Sequence, residues 1–340
     1  MRKPSGPGMT RERAPRNRTL SCSDQEILGF SQSLRRLTEC LTADALDNVV
    51  ANQDLFEAAE FLPKGFADLV VIDPPYNLSK DFNGQAFKAR GKDEYSSWFE
   101  AVLEIVVPTL TPHGSVYVCS DWKTSILIAP LLEKRLRVRN RITWEREKGR
   151  GARANWKNNT EDIWFCTASD SYYFNVDAVK LKRKVIAPYR SDDGQPKDWE
   201  ESADGNYRLT HPANFWSDIT IPFWSMSENT DHPTQKPEKL IAKLILASTV
   251  RGGCVFDPFL GSGTTAVVAK KLGRRFLGVE QNTEYCCWAL KRLEAAERDS
   301  SIQGYVDGIF WERNSLSHQK VDRGGPAASA ESAGDLGLFK

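Results

Sequence analysis

Apolar positions along the chain fall into two rhythms, short unbroken runs and longer stretches with an apolar residue every third or fourth place. That alternation predicts an α/β fold. Val49-Val50-Ala51, Leu69 to Ile72, Gly114 to Cys119, Cys254 to Phe256 and Arg275 to Val279 read as buried strands. Leu55 to Phe61, Tyr95 to Val107, Ser125 to Leu132, Lys239 to Thr249, Ala266 to Lys271 and Thr283 to Arg298 read as helices. Strand-helix-strand order favours parallel pairing, so a doubly wound, mostly parallel sheet is expected. The strands ending at Asp73 and Asp257 should lie near each other despite the long chain between them. Arg137 to Trp144 alternates, with Val138, Ile142 and Trp144 directed to a core and Arg137, Arg139 and Arg141 outward.

The α/β rhythm fails between 169 and 231, where Tyr172, Tyr189, Trp199, Tyr207, Trp216 and Trp224 mix with Lys, Arg, Asn and turn residues. This segment reads as an insertion between two halves of one domain, 21–168 and 232–315. Aromatics with basic and amide neighbours suit base contacts, and equally the core of a small module. Residues 1–20, rich in Pro, Gly and Arg, and 316–340, rich in Gly, Ala and Ser, read as a disordered basic tail and a flexible tail. The polar stretch Asp81 to Lys92 reads as a mobile loop.

With 340 residues, 40% of them apolar, the chain can bury a full α/β core. No run approaches membrane-spanning length and the N-terminus lacks the apolar core of a secretion signal, so a cytoplasmic address is expected. Seven cysteines with no Cys-x-x-Cys pair, and only four histidines, point to reduced thiols and no metal site. The net charge of +1 decides nothing about nucleic acid, but charge is unevenly spread. Ten Lys or Arg against two Glu between Lys134 and Lys157 give a local +8. Within this patch Arg137, Arg139, Arg141, Lys148, Arg150 and Arg153 are candidate phosphate contacts; a solvated charged face is the alternative.

Two motifs carry chemistry. Asp73-Pro74-Pro75-Tyr76 follows a buried strand directly, which presents a carboxylate and a ring at a strand's carboxyl end, where open α/β sheets bind ligands. A proline turn with a packed tyrosine is the plainer reading. The second motif, Asp257-Pro258-Phe259-Leu260-Gly261-Ser262-Gly263-Thr264, runs from strand through glycine loop to helix. Gly261 and Gly263 allow close backbone approach of a ligand at a helix N-terminus. Glu280, closing the next strand about 20 residues on, stands where an acid holds ribose hydroxyls.

Together these motifs resemble the beta class of AdoMet-dependent DNA amino-methyltransferases, which modify N6 of adenine or N4 of cytosine. The catalytic tetrapeptide precedes the cofactor loop, the circularly permuted order of that class. Asn52-Gln53-Asp54 and His232-Pro233-Thr234-Gln235-Lys236-Pro237 extend the match. The resemblance implies a Rossmann-like AdoMet-dependent methyltransferase fold in which 169–231 reads the target. It implies AdoMet as cofactor, with Phe259, Gly261, Ser262, Gly263 and Thr264 along its methionine part and Glu280 on its ribose. Asp257 would orient the cofactor's amino group, and Thr234 and Lys236 would meet its carboxylate. Asp54 would approach the cofactor's adenine, or simply cap the helix from residue 55; His232 is read as a turn residue.

An exocyclic amine is a weak nucleophile because its lone pair is delocalised into the ring. If Asp73 accepts one N–H and the Pro74 carbonyl the other, the nitrogen is drawn toward tetrahedral geometry and its lone pair freed, with Pro75 stiffening the turn. Tyr76 would stack on a base extruded from the duplex. Members of the class beginning with Asp mostly modify adenine, so adenine in double-stranded DNA is the expected acceptor, cytosine N4 the alternative. A non-catalytic DNA binder on this fold is the alternative of another class; the retained Asp73, Tyr76, Gly261, Gly263 and Glu280 oppose it. A glutamine methyltransferase would begin its turn with Asn and place the cofactor motif first. No Pro-Cys dipeptide exists to serve cytosine-C5 transfer. A cognate restriction endonuclease and a homodimer fit the class, and Asp335-Leu336-Gly337-Leu338-Phe339 resembles the peptide that binds bacterial sliding clamps, except for Gln at its first position.

Overall fold

The computed structural model describes residues 14–40, 42, 47–78, 80–82, 85–87, 89–146, 154–185, 189–202, 205–313 and 315. In chain order α1 (Asp24–Ser33), β1 (Val49–Asn52), α2 (Leu55–Ala58), β2 (Ala67–Ile72), β3 (Lys80–Phe82), β4 (Gln85–Phe87), α3 (Lys92–Val106) and β5 (Leu110–Ser120) come first. Then follow α4 (Trp122–Arg135), β6 (Arg137–Glu145), β7 (Thr160–Thr167), β8 (Leu181–Lys184), β9 (Glu200–Ser202), β10 (Gly205–Thr210) and β11 (Phe215–Trp216). The last elements are α5 (Glu238–Ser248), β12 (Cys254–Asp257), α6 (Thr264–Lys271), β13 (Arg275–Glu280), α7 (Thr283–Arg298), β14 (Tyr305–Val306) and β15 (Ile309–Trp311).

Eight strands form one sheet in the order β1-β13-β12-β2-β5-β7-β6-β11. Every pairing is parallel except the two made by β7, which runs against β5 and β6. β2 and β12 are direct neighbours, with Leu69 facing Val255 and Val70 facing Phe256. The expected approach of the Asp73 and Asp257 strands is therefore met. One face of the sheet packs against α5, α6 and α7 through Ile241, Ile245, Val267 and Cys286, and the other against α3 and α4 through Phe99, Leu103, Ile128 and Leu132. Helices on both faces make the doubly wound architecture. α5 is buried along its whole length, as a helix wedged between the sheet and a second layer must be.

Polar side chains set the helix starts. Ser23 and Glu26 form a capping box on α1, Asp121 accepts from the Thr124 amide at α4, and Asn282 accepts from the Tyr285 amide at α7.

Several expectations change. Residues 1–13 lie outside the described residues, but 14–20 do not form a free tail. Arg18 and Leu20 donate their amides to the carbonyls of Trp224 and Asn229, because backbone pairing with an exposed edge satisfies both chains. The stretch 81–92 contains the β3–β4 hairpin and the first residue of α3 rather than loop alone. The segment 169–231 does not close on itself. β8, β9 and β10 form a second sheet in the order β14-β15-β8-β10-β9, so 305–311 supplies two of its five strands, and β11 joins the main sheet. The tail from 316 onward, with Asp335 to Phe339, lies outside the described residues.

The outward array of arginines is also broken. A register shift between Val138 and Asn140 interrupts the alternation of β6. Val138 packs with the α3–α4 side while Ile142 and Trp144 pack with the α5 side.

Candidate active site

The carboxyl edge of β2 and β12 opens into a cavity of about 410 Å³ lined by both motifs. Its floor is the turn that follows β2. The Tyr95 hydroxyl donates to the Pro75 carbonyl (3.1 Å), the Asn77 amide donates to Thr124 Oγ1 (3.2 Å), and the Asn77 side chain exchanges two hydrogen bonds with the Arg90 backbone. The turn is thus anchored by α3, α4 and the segment between β4 and α3, in addition to its two prolines.

Asp73 does not stand alone there. Lys236 Nζ donates to both of its oxygens at 2.7 Å, and Tyr76 Oη donates to its Oδ1 at 3.1 Å. Glu161, at the start of β7, completes the group: its Oε2 lies 3.3 Å from Tyr76 Oη and 3.4 Å from Lys236 Nζ, while its Oε1 takes Arg146 at 2.5 Å. Glu161 is 3% exposed and Lys236 6%. A partly buried and a buried carboxylate thus share one buried ammonium. Burial and the Glu161 charge push the Asp73 carboxyl up against the pull of Lys236, and the two acids hold Lys236 protonated.

The Lys236 expected at a cofactor carboxylate sits on Asp73, and Thr234, expected at the same carboxylate, lines the cavity. Tyr76, expected as a stacking ring, has its hydroxyl tethered between Asp73 and Glu161 and its ring beneath the ammonium, 5.4 Å from the centroid.

The opposite wall comes from the glycine loop. Gly261 and Gly263 both take left-handed backbone angles, φ 55° and 85°. Their tasks differ. The Gly261 amide donates to Glu280 Oε2 (2.9 Å) at the cavity wall, but a Cβ on Gly263 would lie 2.5 Å from that of Ala289, so Gly263 serves the packing of α6 on α7. Thr264 lines the cavity, and its hydroxyl takes Arg292 (3.0 Å). Ser262 lines it too, its carbonyl holding the same arginine. Glu280 accepts a second amide, from Asn282 at 2.8 Å, and the Gln281 amide also favours its carboxylate. Asp257 accepts from the Phe259 amide at 2.9 Å, and burial beside Asp73 and Glu280 pushes its carboxyl up to about 7. Phe259 packs on Trp98 at 5.9 Å.

Asp54 caps α2, accepting from the Phe56 amide at 2.8 Å, and also lines the cavity. His232 accepts from the Thr234 amide within its turn and packs edge-on against Tyr285 at 4.5 Å beside Gly261.

The basic candidates divide. Arg137 begins β6, and its partner Thr167 lies opposite Ser115, which pairs with Leu69, so it sits toward the amino end of β2, away from Asp73. Arg139 is taken up by Thr167, Ser169, Asp170 and the Tyr172 face. Arg141 lies 3.7 Å from Asp162, nearer the catalytic edge. Lys148, Arg150 and Arg153 lie outside the described residues, in the connection whose ends, Arg146 and Asn159, hydrogen-bond at that edge.

Glu161 and Arg146 are site residues that the sequence did not single out. β7 is antiparallel, so its beginning, not its end, reaches the catalytic edge. The acid pair Glu161-Asp162 ahead of the apolar run Ile163 to Phe165 is the signal that points to it. Among the described residues, no group of His, Cys, Asp and Glu could hold a metal ion, and no helix is long and apolar enough to cross a membrane.

Comparison with known proteins places the chain in a family. A family model described as N6/N4-type DNA methylase matches residues 67–291. The chain is 31% identical over 285 residues to the DNA adenine methyltransferase YhdJ of Escherichia coli strain K12, covering 80% of this chain and 93% of that protein. It is 31% identical over 263 residues to the Type II methyltransferase M.HpaI of Haemophilus parainfluenzae, covering 76% and 77%. The solved structure of the cytosine-N4-specific PvuII DNA methyltransferase shares the fold, with a TM-score of 0.54 at 18% identity over 72% of this chain and 85% of that one. The chain belongs to the N6/N4 DNA methylase family.

Proposed function

We propose that this protein transfers a methyl group from AdoMet to the exocyclic N6 of an adenine flipped out of double-stranded DNA, as the modification activity of a restriction-modification pair. One observation carries the reading: Asp73 and the glycine loop with Glu280 line the same cavity. About 410 Å³ suits a small-molecule site. The Glu280 carboxylate at the cavity wall suits vicinal hydroxyls, and Gly261, Thr234, Asp257 and Asp54 line the rest. AdoMet, when bound, supplies an electrophilic methyl group.

The chain's residues do the remainder. Asp73 accepts one amine N–H and the Pro74 carbonyl the other, which localises the nitrogen lone pair. The carboxylate also offsets the positive charge that builds on nitrogen during transfer. Tyr76, fixed by its hydroxyl, offers its ring to the extruded base. The connection between β6 and β7, carrying Lys148, Arg150 and Arg153 and the 94% exposed Trp156, is suited to the DNA backbone beside the cavity. The five-stranded sheet is the candidate target reader.

Adenine is favoured by Asp at the first position of the turn and by the adenine specificity named for the YhdJ relative. Cytosine N4 presents the same amino geometry to the same acceptors. Expression in a methylation-free host, followed by modification-sensitive sequencing of native DNA, tests both. Modified adenine at one recurring site is expected. Modified cytosine would reverse the base assignment, and unmodified DNA from soluble, AdoMet-binding protein would overturn the function.

A further inference from the structure

Glu161 and Arg146 stand in the cavity beside the catalytic turn, yet the transfer chemistry above uses neither. Their geometry bears on Asp73. An ammonium held wholly by Asp73 would cancel the charge that the incoming amine requires. Here the ammonium is shared: Lys236 Nζ lies 2.7 Å from both Asp73 oxygens and 3.4 Å from Glu161 Oε2, and the Tyr76 hydroxyl spans the same two acids. Arg146 in turn draws on the far oxygen of Glu161 at 2.5 Å.

We propose that Glu161 is a positioning residue for methyl transfer, holding Lys236 and the Tyr76 hydroxyl between two carboxylates so that Asp73 keeps charge for the substrate amine. Arg146 sets how strongly Glu161 pulls. The inference rests on the reading of Asp73 as the amine acceptor.

The groups around Asp73 are few. Burial keeps Tyr76, Tyr95 and Cys119 protonated well past neutrality, and Lys236 stays charged. Asp257 titrates at about 7, owing to burial beside Asp73 and Glu280. Apart from Lys236, Glu161 is thus the nearby charge whose removal acts on Asp73, and Arg146, paired with it, the one whose removal acts in the opposite sense.

The test is the single-turnover rate of methyl transfer against pH, at saturating DNA and AdoMet, for wild type, Glu161→Gln and Arg146→Gln. In Glu161→Gln the lysine falls to Asp73 alone. The plateau rate should drop about tenfold or more, and the acid limb should move down by about one pH unit as Asp73 loses a repelling charge. In Arg146→Gln the Glu161 charge is unshared and the limb should move up. AdoMet affinity should stay within about threefold in both. Limbs that stay put, or move the same way while only the melting temperature falls, would overturn the proposal. Should Glu161→Gln fail to fold, the upward shift in Arg146→Gln, whose side chain is partly exposed, decides alone. Wild-type protein without transfer overturns the enzyme reading itself; active wild type with unmoved variants overturns only the role of Glu161.

Discussion

Two buried lysine–carboxylate clusters lie within eight residues of one another along the segment entering and forming α5, and they serve different ends. In the first, Lys236 meets Asp73 and Glu161 at the wall of an open cavity. In the second, Lys239 and Lys243 converge on Asp218 at 2.7 and 2.8 Å, and Trp216 and Phe310 cover Lys243, which is 1% exposed. Lys239 also donates to the carbonyls of Asp218 and Trp311, so its three protons have partners. The first cluster has two acids for one base and faces a ligand space. The second has two bases for one acid and is closed off, joining α5 to β11 and β15. Burial of charge alone therefore does not mark the first cluster out; the excess of acceptors facing a cavity does, and it is on this that the proposed role of Asp73 rests.

Substitution of the acids separates the two roles. Asp73→Ala should lower methyl transfer by about 10³-fold or more, with AdoMet binding by calorimetry nearly unchanged; retained activity would end the amine-acceptor assignment. Asp218→Ala leaves two ammonium groups buried without a counter-charge, and should reduce stability by about 3–5 kcal/mol in denaturant unfolding. Lys243→Met, which keeps the Lys239–Asp218 pair, should cost clearly less. Equal losses in the two variants would show that the second cluster is not held by charge balance.

The cavity wall and the closed cluster should also titrate in opposite senses. Asp257, at the catalytic edge, has its pKa raised from 3.8 to about 7, so its stabilising contribution is present below pH ~4 and is lost as pH rises through 7. Lys243, desolvated by burial and crowded by Lys239, has its pKa lowered from 10.5 to about 8, so its contribution is lost as pH falls through 8 and restored toward pH ~10. Each is on the order of 3 kcal/mol before solvent relaxation. Melting temperatures should therefore pass through a minimum near pH 7–8. Asp257→Asn should flatten the acid side of that minimum and Lys243→Met the alkaline side; a variant that flattens the wrong side would break the distinction.

The acid-terminated parallel strands were legible in the sequence because each ends its apolar run at the edge where ligands bind. Asp73, Asp257 and Glu280 could all be placed in this way. Glu161 could not, because the same logic applied to an antiparallel strand looks at the wrong end. Lys236 was legible as a cavity residue, but its partner was not, since the chain spacing between Lys236 and Asp73 says nothing of which carboxylate an ammonium will meet. The arginines of β6 misled for a local reason: one bulge reverses the face assignment of every residue beyond it. The second sheet escaped because its strands are two to six residues long and two of them come from 305–311, on the far side of the cofactor half.

That last arrangement has a bearing on biosynthesis. β8 pairs in parallel with β15, Leu181 facing Phe310, so one side of β8 stays bare until the final strands have left the ribosome. Phe310 also covers Lys243. A nascent chain can thus assemble the eight-stranded sheet and its glycine loop while the smaller sheet is still open. Cofactor capture can precede closure of the smaller sheet, with β14 and β15 acting as a clasp added after the glycine loop is in place.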